Sequence, residues 1–77
     1  MTTENIIWSK PNCPFCVQAK ELLDANNMPY TEKEIGNGHT KEQLLEVVPT
    51  ARSVPQIFLD GKHVGGFNNL ESILKGE

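Results

Sequence analysis

The segment Ser9-Lys10-Pro11-Asn12-Cys13-Pro14-Phe15-Cys16 constrains this chain more than any other. It follows an apolar run, Ile6-Ile7-Trp8, and precedes a helix-like run from Val17 to Ala25, so two thiols fall where a strand ends and a helix begins. The first turn of a helix has backbone N–H groups without internal partners. These favour negative charge, and a sulfur held there is stabilised as thiolate. Pro14 suits the first helical position, because its missing N–H would be unpaired there and its φ is already helical. Cys13 then falls at or next to the N-cap, and Cys16 lies one turn further in on the same side. Since the thiolate is the nucleophile of thiol–disulfide exchange, Cys13 reads as the attacking sulfur and Cys16 as the resolving one.

Other uses of the two cysteines fit less well. A disulfide across so short a loop restrains little of the unfolded chain, which argues against a purely structural staple. A zinc site needs two more ligands, and His39 and His63 are too far apart in sequence for the short histidine spacing of a zinc finger. No metal site is expected.

A chain of 77 residues accommodates one small domain, 1–77, with a thin core. Its net charge of −3, without a run of lysine or arginine, does not suggest binding to a nucleic-acid backbone or an anionic membrane. No apolar stretch has the length of a membrane span, and Met-Thr-Thr-Glu lacks the basic start of a signal peptide, so a cytoplasmic location is expected. Thiols are kept reduced in that compartment, where a close cysteine pair is more often catalytic than structural.

Along the chain, Asn5–Ser9 predicts a central strand, apolar without alternation because both its faces are covered. An amphipathic helix follows from Pro14 to Asn26, with Cys16, Ala19, Leu22 and Leu23 inward. Tyr30–Ile35 is charged enough for an edge strand. Thr40 with Gln43 is a capping-box pattern that opens a helix with Leu44, Leu45 and Val48 on its apolar stripe, terminated by Pro49. Gln56–Leu59 and Lys62–Val64 flank Asp60-Gly61 as an antiparallel hairpin. Gly65-Gly66 then breaks the second strand, and Asn68 or Asn69 caps a last helix with Leu70, Ile73 and Leu74 inward. The order is βαβαββα, with the first two strands parallel through a right-handed crossover.

Three segments in this order carry a resemblance: Cys13-Pro14-Phe15-Cys16, Ser53-Val54-Pro55-Gln56-Ile57-Phe58, and Asp60-Gly61-Lys62-His63-Val64-Gly65-Gly66-Phe67. The sequence resembles the glutaredoxin family, a branch of the thioredoxin fold, across nearly its whole length. That implies an α/β thioredoxin-like fold, a four-stranded mixed sheet flanked by three helices. It also implies a cis Val54-Pro55 bond, whereas by its local sequence alone Pro55 would be a trans proline opening an edge strand. With Pro55 in this position, the Val54 backbone is left free to pair with a bound peptide.

The resemblance further implies a glutathione-dependent thiol–disulfide oxidoreductase with no tightly bound cofactor and glutathione as co-substrate. Its γ-glutamyl carboxylate would meet the backbone N–H groups of Asn68 and Asn69, and its glycine carboxylate Lys10, with Arg52 a more loosely spaced second cation. Phe15, where tyrosine is common, would line the pocket with Val54, Pro55 and Phe67, while Gly65 and Gly66 would let backbone approach the tripeptide. Disulfide-bearing or glutathionylated proteins are the implied partners of a monomer; ribonucleotide reductase is one family substrate that no residue here singles out. Two alternatives stand beside this reading. A redoxin fed by thioredoxin reductase is disfavoured by Lys10 and Gly65-Gly66-Phe67, and an iron–sulfur module held through Cys13 by the presence of Cys16 and Pro14. The one clear departure from the family pattern is Asn68-Asn69, where many relatives place acidic residues.

Overall fold

The apolar run near the start of the chain becomes β1 (Ile6–Ser9) of the computed structural model, which describes residues 4–76. Ile7 joins a buried cluster on one face of the sheet and Trp8 a second cluster on the other, so an unbroken apolar run is what this position demands. A helix, α1 (Pro14–Ala25), leads to β2 (Thr31–Glu34), which pairs parallel with β1 from Ile6↔Thr31 to Ser9↔Glu34. After α2 (Lys41–Val47), β3 (Gln56–Leu59) pairs antiparallel with the other side of β1. The hairpin partner β4 (Lys62–Gly65) and α3 (Phe67–Lys75) complete the chain, and the sheet order is β2-β1-β3-β4. This is the expected βαβαββα order with a four-stranded mixed sheet and three helices.

Ile7, Ala19, Leu23, Ile57 and Leu70 form the larger cluster, which packs α1 and α3 on one face. Trp8, Leu44 and Val48 seat α2 on the opposite one. Local chemistry sets the ends of the elements. Asn27, at φ 56°, ends α1 in the left-handed region, with the Met28 N–H returning to the Leu23 carbonyl at 3.0 Å. The capping box of α2 is complete: the Gln43 N–H donates to Thr40 Oγ1 at 3.1 Å, and the Thr40 N–H to Gln43 Oε1 at 3.0 Å. Asp60 and Gly61 both take positive φ, as the tight hairpin requires.

Three expectations are corrected. Strand β4 runs through Gly65 rather than breaking there. Neither Asn68 nor Asn69 caps α3; Gly66 is the N-cap without any side-chain cap bond, and its carbonyl accepts from the Leu70 N–H at 3.0 Å. The apolar Phe67 is drawn against the core and becomes the first helical residue, so packing overrides the capping preference of asparagine. Ile73 is 48% exposed while Leu70 is buried, because Leu70 and Leu74 hold the stripe over α1 and the sheet and Ile73 flanks it at the edge.

Ser9, 1% exposed, satisfies its hydroxyl by donating to Glu32 Oε2 at 2.6 Å, and Lys20 Nζ reaches the same oxygen at 2.9 Å. This links β1, β2 and α1. The Ser9 bond first, and the Lys20 bond second, hold the Glu32 carboxyl below its ordinary value of 4.5 against the opposing effect of burial. A depressed folded-state value means stability that is present above that ordinary value and lost as pH falls through the folded one. Glu32→Gln should therefore lower Tm at neutral pH, with the gap to wild type closing as the solution is acidified. Two Tm curves running parallel between neutral and acid pH would contradict this assignment.

Candidate active site

Strand β1 delivers the chain to the cysteines through a turn in which Asn12 takes φ 60°, a left-handed conformation that asparagine tolerates better than most residues. Cys13 follows as the N-cap of α1, at φ −113° and ψ 100°. Its Sγ accepts a hydrogen bond from the Cys16 N–H at 3.2 Å, and its carbonyl accepts from the Val17 N–H at 3.1 Å. A side-chain oxygen usually makes the first of these bonds. A sulfur in that place has a donor that favours its anion, beside the positive end of the helix. Cys13 and Cys16 are joined as a disulfide with their Cα atoms 5.2 Å apart. Cys16 is 1% exposed and Cys13 8%, so Cys13 is the more exposed residue of the two.

The Val54-Pro55 bond is cis, and the Val54 carbonyl oxygen lies 3.8 Å from Cys13 Sγ. The Val54 N–H makes no backbone hydrogen bond with another described residue. Beside it runs an open groove of about 210 Å³, lined by Phe15, Val54, Pro55, Gly66, Phe67, Asn68 and Asn69, together with Ser53. The rings of Phe15 and Phe67 sit 5.9 Å apart and tilted by 34° on its border. At the far end α3 begins. Its first hydrogen-bonded N–H is that of Leu70, which leaves the N–H groups of Phe67, Asn68 and Asn69 without helical partners. Gly65 has φ 115°, and a Cβ there would stand 2.9 Å from Asn69 Cγ, so only glycine lets the Asn69 side chain lie over this backbone.

The structure thus gathers seven of the sequence-predicted residues in one groove. Lys10 does not line it. That side chain borders a depression of about 540 Å³ on the other side of the cysteines, with Cys13, Cys16, Lys20 and Glu34. It also borders one of about 200 Å³ with Arg52, Ser53 and Val54. Sequence reasoning passed over Ser53, although its place next to Val54 was a usable signal. It also passed over the left-handed Asn12, for which the Pro-Asn pair before an N-cap was a weaker one. Among the described residues, no group of three His, Cys, Asp or Glu side chains is placed to hold a metal ion. No described helix is long and apolar enough to cross a membrane.

A cysteine pair at a strand-to-helix junction, with the cis Val54-Pro55 bond beside it on this fold, places the molecule among the thiol–disulfide oxidoreductases of the thioredoxin fold. Within that class the chain belongs to the glutaredoxin family, whose family model matches residues 5–64. It is 40% identical over 72 residues to glutaredoxin 1 of Rickettsia prowazekii, covering 91% of this chain and 76% of that one. Among solved structures it is similar to glutaredoxin 1 of Francisella tularensis complexed with cacodylate, with a TM-score of 0.81, 27% identity and coverage of 97% and 95% of the two chains. A buckwheat glutaredoxin–glutathione complex superimposes with a TM-score of 0.76 at 29% identity, covering 96% of this chain and 71% of that one.

Proposed function

We propose that this protein, acting as a single domain, uses glutathione to reduce protein disulfides and glutathione mixed disulfides. The observation that carries the reading is the groove beside Cys13. It has free helix N–H donors at one end, the unpaired Val54 backbone in the middle, and the Lys10 and Arg52 cations beyond it. Glutathione has a carboxylate at each end and a peptide backbone between, and it matches this order of partners. The similarity to the buckwheat glutaredoxin–glutathione complex supports the same reading.

In the proposed cycle the Cys13 thiolate attacks the glutathione sulfur of a protein–glutathione disulfide, and the protein thiolate leaves. A second glutathione thiolate then attacks the Cys13–glutathione bond, which yields glutathione disulfide and restores Cys13. With a protein disulfide, Cys16 attacks the Cys13–substrate bond instead, and two glutathiones return the resulting Cys13–Cys16 disulfide to the dithiol. No resident cofactor enters this cycle, and the glutathione-rich cytoplasm suits it. The test is turnover of a glutathione mixed disulfide with glutathione, glutathione reductase and NADPH, run beside the same assay driven by thioredoxin reductase alone. Reduction that proceeds only with thioredoxin reductase would overturn the proposal.

Asn68 and Asn69 offer no charge to the γ-glutamyl ammonium, although the backbone donors around them remain. An exposed ion pair is typically worth about 0.2–1 kcal/mol, so Asn69→Asp should lower the KM for glutathione mixed disulfides by no more than about fivefold. The gain should shrink as salt rises. An unchanged KM, or a gain that persists in high salt, would show that this segment does not read the ammonium by charge.

A further inference from the structure

The depression of about 200 Å³ on the far side of Val54 has a composition that glutathione does not explain. Lys10, Lys41 and Arg52 stand on its rim, Ile35, Leu44 and Leu45 with Ala51 form an apolar floor, and no carboxylate lines it. The ion pairs of the described residues join Lys20 to Glu32 and Lys75 to Glu71, so none of the three rim cations is neutralised by one. In a chain with 7 basic residues and a net charge of −3, three cations outside those ion pairs are gathered around one apolar floor bordered by Val54, whose carbonyl oxygen lies 3.8 Å from Cys13 Sγ. The glycine end of glutathione brings one carboxylate and no side chain. It would engage Lys10 and Arg52 and leave the floor bare and Lys41 unused.

We propose that this depression docks the segment flanking the cysteine of a protein substrate, and selects an aliphatic side chain bordered by acidic residues. The inference rests on the disulfide-reductase reading and names the substrate class for it. An extended segment that pairs with the free Val54 backbone advances by about 3.3 Å per residue, with alternate side chains on one face. A side chain about two residues from the substrate cysteine then reaches the depression, which shares Ser53 and Val54 with the groove. The aliphatic group covers the floor, and the acidic neighbours meet the rim. Lys41 is the specificity-determining residue. As the first residue of α2 it lies outside the groove and away from the cysteines, and it touches only a substrate longer than glutathione.

Three disulfide peptides that differ only beside the cysteine, carrying Glu-Leu-Glu, Lys-Leu-Lys or Glu-Ser-Glu, test this with wild type, Lys41→Gln and Lys41→Glu. Wild type should show the highest kcat/KM for Glu-Leu-Glu. Lys41→Gln should lower that value about two- to fivefold and Lys41→Glu further, with both losses fading at high salt. A glutamate suits the first turn of a helix, so the reversed charge should not unfold α2. Turnover of a small glutathione mixed disulfide should be the same in all three proteins. No preference among the peptides, or an equal loss on every substrate, would overturn the proposal. Fluorescence anisotropy with unreactive peptides bearing serine for cysteine reads docking by itself. A wild-type preference for Glu-Leu-Glu there would support the depression even if glutathione proved not to be the reductant, and equal binding would reject it.

Discussion

Cys13→Ser should abolish turnover of every disulfide substrate, whereas Cys16→Ser should retain deglutathionylation and lose reduction of protein disulfides. The asymmetry follows from where the two sulfurs sit. Cys13 is the more exposed residue and its Sγ lies at the start of α1 beside Val54, while Cys16 is 1% exposed and would reach a substrate only through a disulfide already formed at Cys13. Serine at position 13 can still accept the Cys16 N–H, so the helix keeps its cap and the loss is one of chemistry rather than of folding. Under the proposed cycle, a second glutathione would resolve the mixed disulfide in the Cys16 variant, whereas an intermediate with a protein substrate would have no internal thiol to release it. Steady-state assays on both substrate types check this, with circular dichroism to confirm folding. Equal losses from the two substitutions would mean that the sulfurs do not divide the work.

Leu23→Ala should be among the most damaging single changes to the fold. Leu23 is fully buried in the cluster with Ile7, Ile57 and Leu70, where α1, the sheet and α3 meet. Buried leucine-to-alanine changes cost about 2–5 kcal/mol, and in a domain this small each kcal/mol moves Tm by about 4–8 °C. A fall of about 10 °C or more is therefore expected, against a total stability of only about 5–15 kcal/mol. Val47→Ala is the matched control, because Val47 is 53% exposed and its truncation should change stability by about 0.5 kcal/mol or less. Thermal melts of the two variants that fall together would mean that the core has been misassigned.

Much of this architecture was legible because local signals agreed with one another. The unbroken apolar run of β1 announced a strand covered on both faces, and Ile7 and Trp8 do fill separate clusters. The Thr40–Gln43 box, the Asp60-Gly61 turn and the position of Pro14 each act within a few residues, and each appears as read. The start of α3 was misread because Asn68 and Asn69 looked like caps, whereas the outcome depended on how strongly the core draws in Phe67. Ile73 was misplaced because spacing fixes its angle around the helix but not whether a neighbour stands there to cover it.

The cysteines were legible from a single motif, and the cis bond at Val54-Pro55 only through the family resemblance. The separation of Lys10 from the groove was not, nor was the arrival of Lys41 beside Arg52. Lys41 reaches that depression only because α2 seats against the face of the sheet that bears Trp8. No spacing within the sequence records such a crossing.

The hydrogen bond from the Cys16 N–H to Cys13 Sγ makes one atom both the reagent and the first fastening of α1. Hydrogen bonds to an ionised acceptor are stronger than those to a neutral one, so this fastening is tighter around a thiolate than around a disulfide sulfur. The same free energy then enters two balances. It adds to the folding stability of the reduced protein, and it draws the dithiol toward reduction by an equal amount, because the two equilibria share a closed cycle. A change in this first turn that strengthens the bond to the thiolate more than the bond to the disulfide sulfur must therefore both steady the reduced protein and make the pair a weaker electron donor, whereas a change felt equally by both forms moves stability alone.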